Sequence, residues 1–251
     1  MALVETEALV LKSYSLAEAD KIIVFLTQTQ GLIRGVAKGA KRLKSRFGGS
    51  LEPFSIVNLN YFQKEERELV SVSQVELKKS FFAQAADPEF LQKFAYLSDL
   101  LYEFAPPNEP NERLYRMACV SLETAVANPQ DLGGIAVYFE LWLLKLAGFL
   151  PNWNRCDVCQ REIGAGESAS LQANFHLLCA ACRKSGGRVL ISPAEKQLFA
   201  VAQTISPAKF VEFARDQTEA VKNLSAVLKQ IISHILGKEI VAEKIILGSR
   251  N

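Results

Sequence analysis

Four of the five cysteines in this 251-residue chain form two Cys-x-x-Cys pairs, Cys156–Cys159 and Cys179–Cys182, with 19 residues between the pairs. Thiols so spaced can ligate a metal, exchange disulfides or cross-link. Two intervening residues let both sulfurs of a pair turn toward one ion, and a hairpin brings the second pair round, which is the pattern of a tetrahedral zinc site. Disulfides belong to oxidising compartments. The first residues, MALVETEALVLKSY, carry Glu5 and Glu7 and no long apolar run, so they do not read as a secretory signal. A redox pair expects one Cys-x-x-Cys beside a βαβ pattern, and none is present. The expectation is zinc held by Cys156, Cys159, Cys179 and Cys182.

That zinc should be structural. Catalytic zinc keeps an open position, and four thiolates close the shell and blunt the metal as a Lewis acid. A zinc nucleobase deaminase would need His-x-Glu ahead of Pro-Cys-x-x-Cys, and neither His176 nor His234 sits in that motif. His176, three residues before Cys179, could replace a thiolate but reads first as an exposed hairpin histidine. Cys119 reads as a core residue of a helix. No acid, base or nucleophile constellation stands out, so the expectation is a protein that is not an enzyme.

The second chemical signal is charge. The net charge is +2, yet residues 1–80 hold 12 Lys or Arg against 9 Asp or Glu, and no acid occurs between Asp20 and Glu52. Within that gap, RGVAKGAKRLKSRFGGS concentrates Arg34, Lys38, Lys41, Arg42, Lys44 and Arg46, with Gly39, Gly48 and Gly49 along it. Such a segment is an ordinary solvated loop or a phosphate-binding one. It is not a P-loop, because no Gly-x4-Gly-Lys-Ser/Thr occurs. Tyr14, Phe47, Tyr61 and Phe62 are candidate platforms for stacked bases, although each reads first as core; alternation turns only one of Tyr61 and Phe62 outward.

These residues need elements to hold them. TEALVLKSY, KIIVFLTQ, GLIRGVAK, EPFSIVNLNYF and ELVSVSQVEL are five short runs with partial period-two alternation, which predicts five strands in residues 1–80. With no helical pattern among them, a closed five-stranded barrel of the oligonucleotide/oligosaccharide-binding (OB) type is expected, and the basic loop falls between its third and fourth strands. Beyond Ser80 the pattern turns helical. Helices are predicted from Asp87-Pro88 to about Phe104, over 112–127, and over 132–147 with Gly148 as C-terminal cap. Three more follow, opened by Ser192-Pro193-Ala194-Glu195, by Ser206-Pro207 and by the capping-box spacing Asp216–Glu219. The third helix is apolar almost all round and should be central, whereas the last shows one face of Val221, Leu224, Leu228, Ile231 and Ile235. The most apolar window, 135–150, is too short for a bilayer and carries Glu140 and Lys145. A cytoplasmic protein without a membrane partner is expected.

A barrel carrying SLAEADKIIVFLTQTQGLIRGVAKGAKRLKSRFGGSLEPFSIVNL, followed by helices and by YFELWLLKLAGFLPNWNRCDVC, resembles the RecO family of bacterial recombination mediators over essentially the whole chain. The Glu18-Ala19-Asp20-Lys21 stretch, the basic loop and the helix leading into Cys156 carry the resemblance most specifically. It implies a multidomain β + α protein: an OB domain over 1–80, a helical domain over 81–251, and a zinc ribbon inserted at 152–188. It further implies DNA repair and recombination: binding of single- and double-stranded DNA, strand annealing without nucleotide hydrolysis, work with RecR, and indirect help to RecA on strands covered by single-strand-binding protein. That protein's acidic, apolar C-terminal tail is an implied partner, with 138–145 as the neighbourhood of its groove, and a nucleoid-associated location follows. The DNA role carries onto Arg34, Lys38, Lys41, Arg42, Lys44 and Arg46, and the metal role onto the four paired cysteines. Arg113, Arg116, Arg183, Lys184 and Arg188 are further candidates if DNA extends onto the helical domain. The competing reading is an RNA-binding adaptor of translation or ribosome assembly, built from the same two modules.

Overall fold

A computed structural model describes residues 2–63, 68–183 and 189–240. Two compact units emerge, with Met1–Pro129 forming the bulk of one and Gln130–Glu239 the other.

The first unit is built on a closed five-stranded barrel in the order β1-β2-β3-β5-β4, with β1 Ala2–Leu16, β2 Asp20–Thr27, β3 Gly31–Ala37, β4 Ser55–Gln63 and β5 Leu69–Ser80. Closure depends on the length of β1. Its first half pairs antiparallel with β4 (Ala2↔Gln63 to Leu9↔Ile56) and its second half with β2 (Ala8↔Thr27 to Leu16↔Asp20). A register shift between Val10 and Lys12 marks where the strand bends from one partner to the other. The parallel pairing of β3 with β5, Arg34↔Leu69 to Val36↔Ser71, seals the barrel. Alternation then sends Ala8, Val10, Ile23, Phe25, Ile33, Val57, Leu59, Tyr61, Val70 and Val72 into one apolar core. Gly31 opens β3 with φ +68°, and a Cβ there would sit 2.1 Å from the Glu109 carbonyl oxygen, so only glycine lets the two backbones approach.

The first two helices of the predicted helical region pack with the barrel. In α1 (Pro88–Phe104), Asp87 caps the first turn by accepting from Glu89 N at 2.9 Å, and Phe90 and Phe94 present their rings to Phe54 at 6.2 and 5.9 Å. Lys12 of β1 pairs with Asp99 and lies over the Tyr102 ring. In α2 (Glu112–Ala127), capped by Asn111, the Tyr115 hydroxyl donates to Glu7 of β1 at 2.8 Å. These ties are why the first compact unit runs on to Pro129. The barrel and its boundary near residue 80 are visible in sequence, whereas contacts spanning up to 108 residues are not.

The second unit centres on α3 (Leu132–Leu146), buried on nearly every side and packed against α4 (Pro193–Ala202), α5 (Pro207–Ala214) and α6 (Thr218–Leu236). Gly148 at φ +79° ends α3 in a Schellman turn, with Phe149 N donating to Leu144 O at 2.8 Å and Gly148 N to Lys145 O at 3.2 Å. Ser192 and Glu195 form the expected capping box on α4. The expected box at Asp216 does not form: Gln217 is the N-cap of α6 and makes no side-chain capping bond. Between α3 and α4 lies a small sheet of β6 (Ala169–Leu171), β7 (Leu177–Leu178) and β8 (Leu190–Ile191), in the order β7-β6-β8, which carries the cysteines.

Candidate metal centre and nucleic-acid interface

The ribbon converges on its cysteines through backbone turns. Cys156 N donates to Arg161 O and Gln160 N returns to Cys156 O, both at 2.9 Å, closing the first knuckle. Cys182 N and Arg183 N both donate to Cys179 O at 3.1 Å, closing the second. The Cys179 amide, in turn, points at the Cys156 sulfur at 3.4 Å, the N–H···S bond that steadies a thiolate. The four sulfurs lie within 4.8 Å of one another. A tetrahedron with Zn–S bonds of about 2.3 Å has edges of about 3.8 Å, and Cys159 Sγ lies 3.8 Å from Cys179 Sγ. The set therefore fits zinc, and four thiolates would give it a closed, structural shell.

The thiols do not ionise independently. The Arg161 guanidinium beside Cys179 draws that thiol down to about 6, while hydrogen bonding with Cys159 and Cys179 pushes Cys182 up to about 12. Adjacent thiolates repel, so all four ionise together only around a cation. His176 stays outside the cluster; its Nδ1 faces Asp157 at 3.9 Å. Cys119 sits half-buried in α2 with its thiol pushed up to about 12 by burial, as an inert packing residue would be.

Trp153 joins the ribbon to the helices. Its ring is buried and stacked on Phe199 of α4 at 4.2 Å, and its indole N–H donates to Phe175 O at 3.0 Å. Lys196, also on α4, donates to Gly164 O and Glu167 O inside the ribbon. Arg161 and Lys196 are functional candidates that sequence reasoning missed. Arg161 lies just beyond the first knuckle and could have been suspected; Lys196 could not, since its acceptors are 32 and 29 residues away.

All six basic candidates are exposed, and none pairs with a carboxylate among the described residues. Lys12, Lys21, Lys78 and Lys79, by contrast, are each neutralised, by Asp99, Glu52, Glu7 and Glu123. The loop that carries five of the six is anchored at both ends. Gly39 N donates to Asp20 Oδ1 and Lys41 N to Ala19 O, at 2.8 and 2.9 Å. Phe47 and Leu51 plug the barrel core. Two cations help to pin it, Lys41 Nζ donating to Ala17 O at 2.8 Å and Arg46 Nη2 to Val72 O at 3.3 Å. Lys38, Arg42 and Lys44 project freely from this frame, and Arg34 lies on the outer face of β3. Of the aromatic candidates, Phe47 and Tyr61 belong to the core; Tyr14 is exposed and Phe62 half-exposed, leaving these two as stacking surfaces.

Elsewhere the candidates scatter. Arg113 and Arg116 are exposed on α2, Arg116 facing Glu112 at 3.8 Å. Arg183 is exposed beside Cys182, while Lys184 and Arg188 lie outside the described residues. In 138–145 only Lys145 is exposed, its ammonium over the half-buried Trp142 ring at 4.6 Å. Among the described residues no helix is long and apolar enough to cross a membrane.

Two family models match the chain, one on each side of residues 82–86. Residues 1–81 match the family model described as "Recombination protein O N terminal" and residues 87–242 the one described as "Recombination protein O C terminal". The chain is 30% identical over 242 residues to a DNA repair protein RecO of Koribacter versatilis, covering 94% of this chain and 95% of that protein. A DNA repair protein RecO of Desulforamulus reducens is 29% identical over 242 residues, covering 96% and 92%. One from Geobacter metallireducens is 30% identical over 184 residues, covering 73% and 74%.

Proposed function

The chain belongs to the recombination protein O family of DNA repair proteins, and on that premise we propose that it is a non-enzymatic recombination mediator that works from its barrel loop. It binds single- and double-stranded DNA there and anneals complementary strands without nucleotide hydrolysis. With RecR it assists RecA on strands covered by single-strand-binding protein. The observation that carries this reading is the set of six exposed cations with no carboxylate partner, five of them on one anchored loop.

The physics of annealing favours such a surface. Two polyanions must approach, so their repulsion has to be lowered while the base edges stay free to pair. Cations on a loop meet phosphates rather than bases, which gives binding with little sequence preference and a steep salt dependence. Tyr14 and Phe62 offer faces on which a base can stack without being read. The acidic, apolar tail of single-strand-binding protein would find a cation and an aromatic face in Lys145 and Trp142. Zinc, in this account, holds the ribbon in shape and takes no part in strand chemistry.

Affinity for a single-stranded DNA and for the RNA of identical sequence, compared at equal salt, separates this reading from the adaptor. Equal or stronger DNA binding is expected. A clear preference for RNA, which only contacts to the 2′-hydroxyl provide, would overturn the mediator reading.

A further inference from the structure

A chain of contacts runs from helix α4 to the cysteine cluster. The Lys196 side chain is buried, the residue being only 8% exposed. Its ammonium donates to Gly164 O at 2.5 Å and to Glu167 O at 2.9 Å. Those carbonyls belong to a turn closed by Glu167 N donating to Gly164 O at 3.1 Å. The Glu167 carboxylate then takes the Arg161 guanidinium in a two-pronged pair, Nη1 to Oε1 at 3.1 Å and Nη2 to Oε2 at 2.7 Å. Arg161 ends the chain at a metal-ligand candidate: its carbonyl accepts from Cys156 N at 2.9 Å and so closes the first knuckle.

An Arg–Glu pair of this exposure is by itself worth little. Two features set this one apart. A buried ammonium must keep its acceptors, so Lys196 fixes the Gly164–Glu167 turn as firmly as the turn satisfies Lys196. The other end of the pair belongs to the first knuckle itself, since Arg161 O is the acceptor for Cys156 N, and the partners of a ligand govern its orientation.

We infer that Arg161, Glu167 and Lys196 form an outer-sphere clamp that holds Cys156 in ligating position and ties the bound ion to helix α4. The clamp rests on the reading of the four thiols as a metal site. All three residues act through the backbone bond from Cys156 N to Arg161 O and are positioning residues. The clamp slows release of the ion, and loss of the ion in turn loosens the turn on which Lys196 depends.

The test uses the full-length zinc-loaded protein and reads zinc transfer to a chromophoric chelator. Arg161→Gln, Glu167→Gln and Lys196→Met are each expected to speed release by about 10- to 100-fold, the range seen when such supporting partners are lost. Arg155→Gln, which breaks the neighbouring exposed pair with Glu162 at 3.7 Å, should leave the rate unchanged. Substituting Co²⁺ for zinc adds a second readout. The thiolate-to-cobalt charge-transfer band of the variants should keep the four-sulfur intensity of wild type while the ion leaves faster, because the clamp steadies Cys156 without itself ligating; a band that loses intensity would mean a lost ligand and would overturn the clamp. If Lys196→Met does not fold, Lys196→Arg is read in its place and is expected to release faster than wild type. Release within twofold of wild type for the folded variants overturns the clamp. A wild-type protein that binds neither Zn²⁺ nor Co²⁺ overturns the metal reading itself.

Discussion

Neutralising the unpaired cations of the barrel should flatten the salt dependence of DNA binding by an amount the structure sets. Four of the six, Arg34, Lys38, Arg42 and Lys44, are exposed, and their side chains make no hydrogen bond or ion pair among the described residues, while Lys41 and Arg46 spend a donor on backbone carbonyls. If each of the four meets one phosphate of a single strand, together they contribute about −2.8 to the slope of log K against log salt, at about −0.7 per contact. Raising salt from 50 to 200 mM then weakens their share of binding about 50-fold. The assay is anisotropy of a labelled oligothymidine titrated at several salt concentrations, comparing wild type with the Arg34→Ala, Lys38→Ala, Arg42→Ala, Lys44→Ala variant. All four side chains are solvent-facing, so the variant should unfold like wild type. A slope that changes by less than about 1 in a folded variant would refute the placement of phosphates on these residues.

Three further outcomes follow from particular contacts. Burial pushes the Glu7 carboxyl up, but hydrogen bonds from Lys78 and Tyr115 outweigh it and hold it below the ordinary value. A lowered folded value means stability that is fully present above the unfolded-state value of about 4.3 and lost as pH falls on through the lower folded-state value. Tyr115→Phe should therefore cost about 1–2 kcal/mol near neutral pH and show a shallower loss between about pH 5 and pH 3, measured by urea unfolding across pH. Gly31→Ala places a methyl group on the Glu109 backbone and forces a positive φ on alanine, so it should lower stability by at least about 2 kcal/mol; a loss under 0.5 kcal/mol would contradict the close approach. Titrating the zinc-loaded protein with a disulfide reagent near pH 8 should leave Cys119, whose thiol burial pushes up to about 12, unreactive; adding a strong chelator should expose the cluster, with Cys182, also raised, slower than the other three thiols, and reaction of Cys119 at the rate of those three would contradict its burial.

What could be read in the sequence, and what could not, divides by range. Metal ligation is local: two residues between cysteines already bring two sulfurs to one ion, so the cluster was visible before any fold. The strands announced themselves by alternation and α3 by its all-round apolarity, and Ser192-Pro193-Ala194-Glu195 carries its own capping geometry. Which of Tyr61 and Phe62 turns inward was not decidable, because the face of a strand that lines the core is fixed only when β3 meets β5 and the barrel closes. Nor was the attachment of α1 and α2 to the barrel, since Glu7 and Tyr115 carry no mark of one another. The same holds for Lys196: a lysine on a helix reads as solvated until the turn 164–167 supplies its carbonyls. The start of α6 shows the limit even of local signals, for Asp216 and Glu219 have the spacing of a capping box while Gln217 takes the cap.

The account stands most directly on one measurement: annealing of two complementary oligonucleotides, one coated with its cognate single-strand-binding protein, in the absence of ATP. Wild type is compared with a folded variant in which Lys38, Lys41, Arg42, Lys44 and Arg46 are alanine. The mediator account predicts ATP-independent annealing by wild type and its loss in the variant. No annealing by the folded, zinc-loaded wild type would contradict the function, and annealing that survives in the variant would contradict the barrel loop as the place where DNA is held.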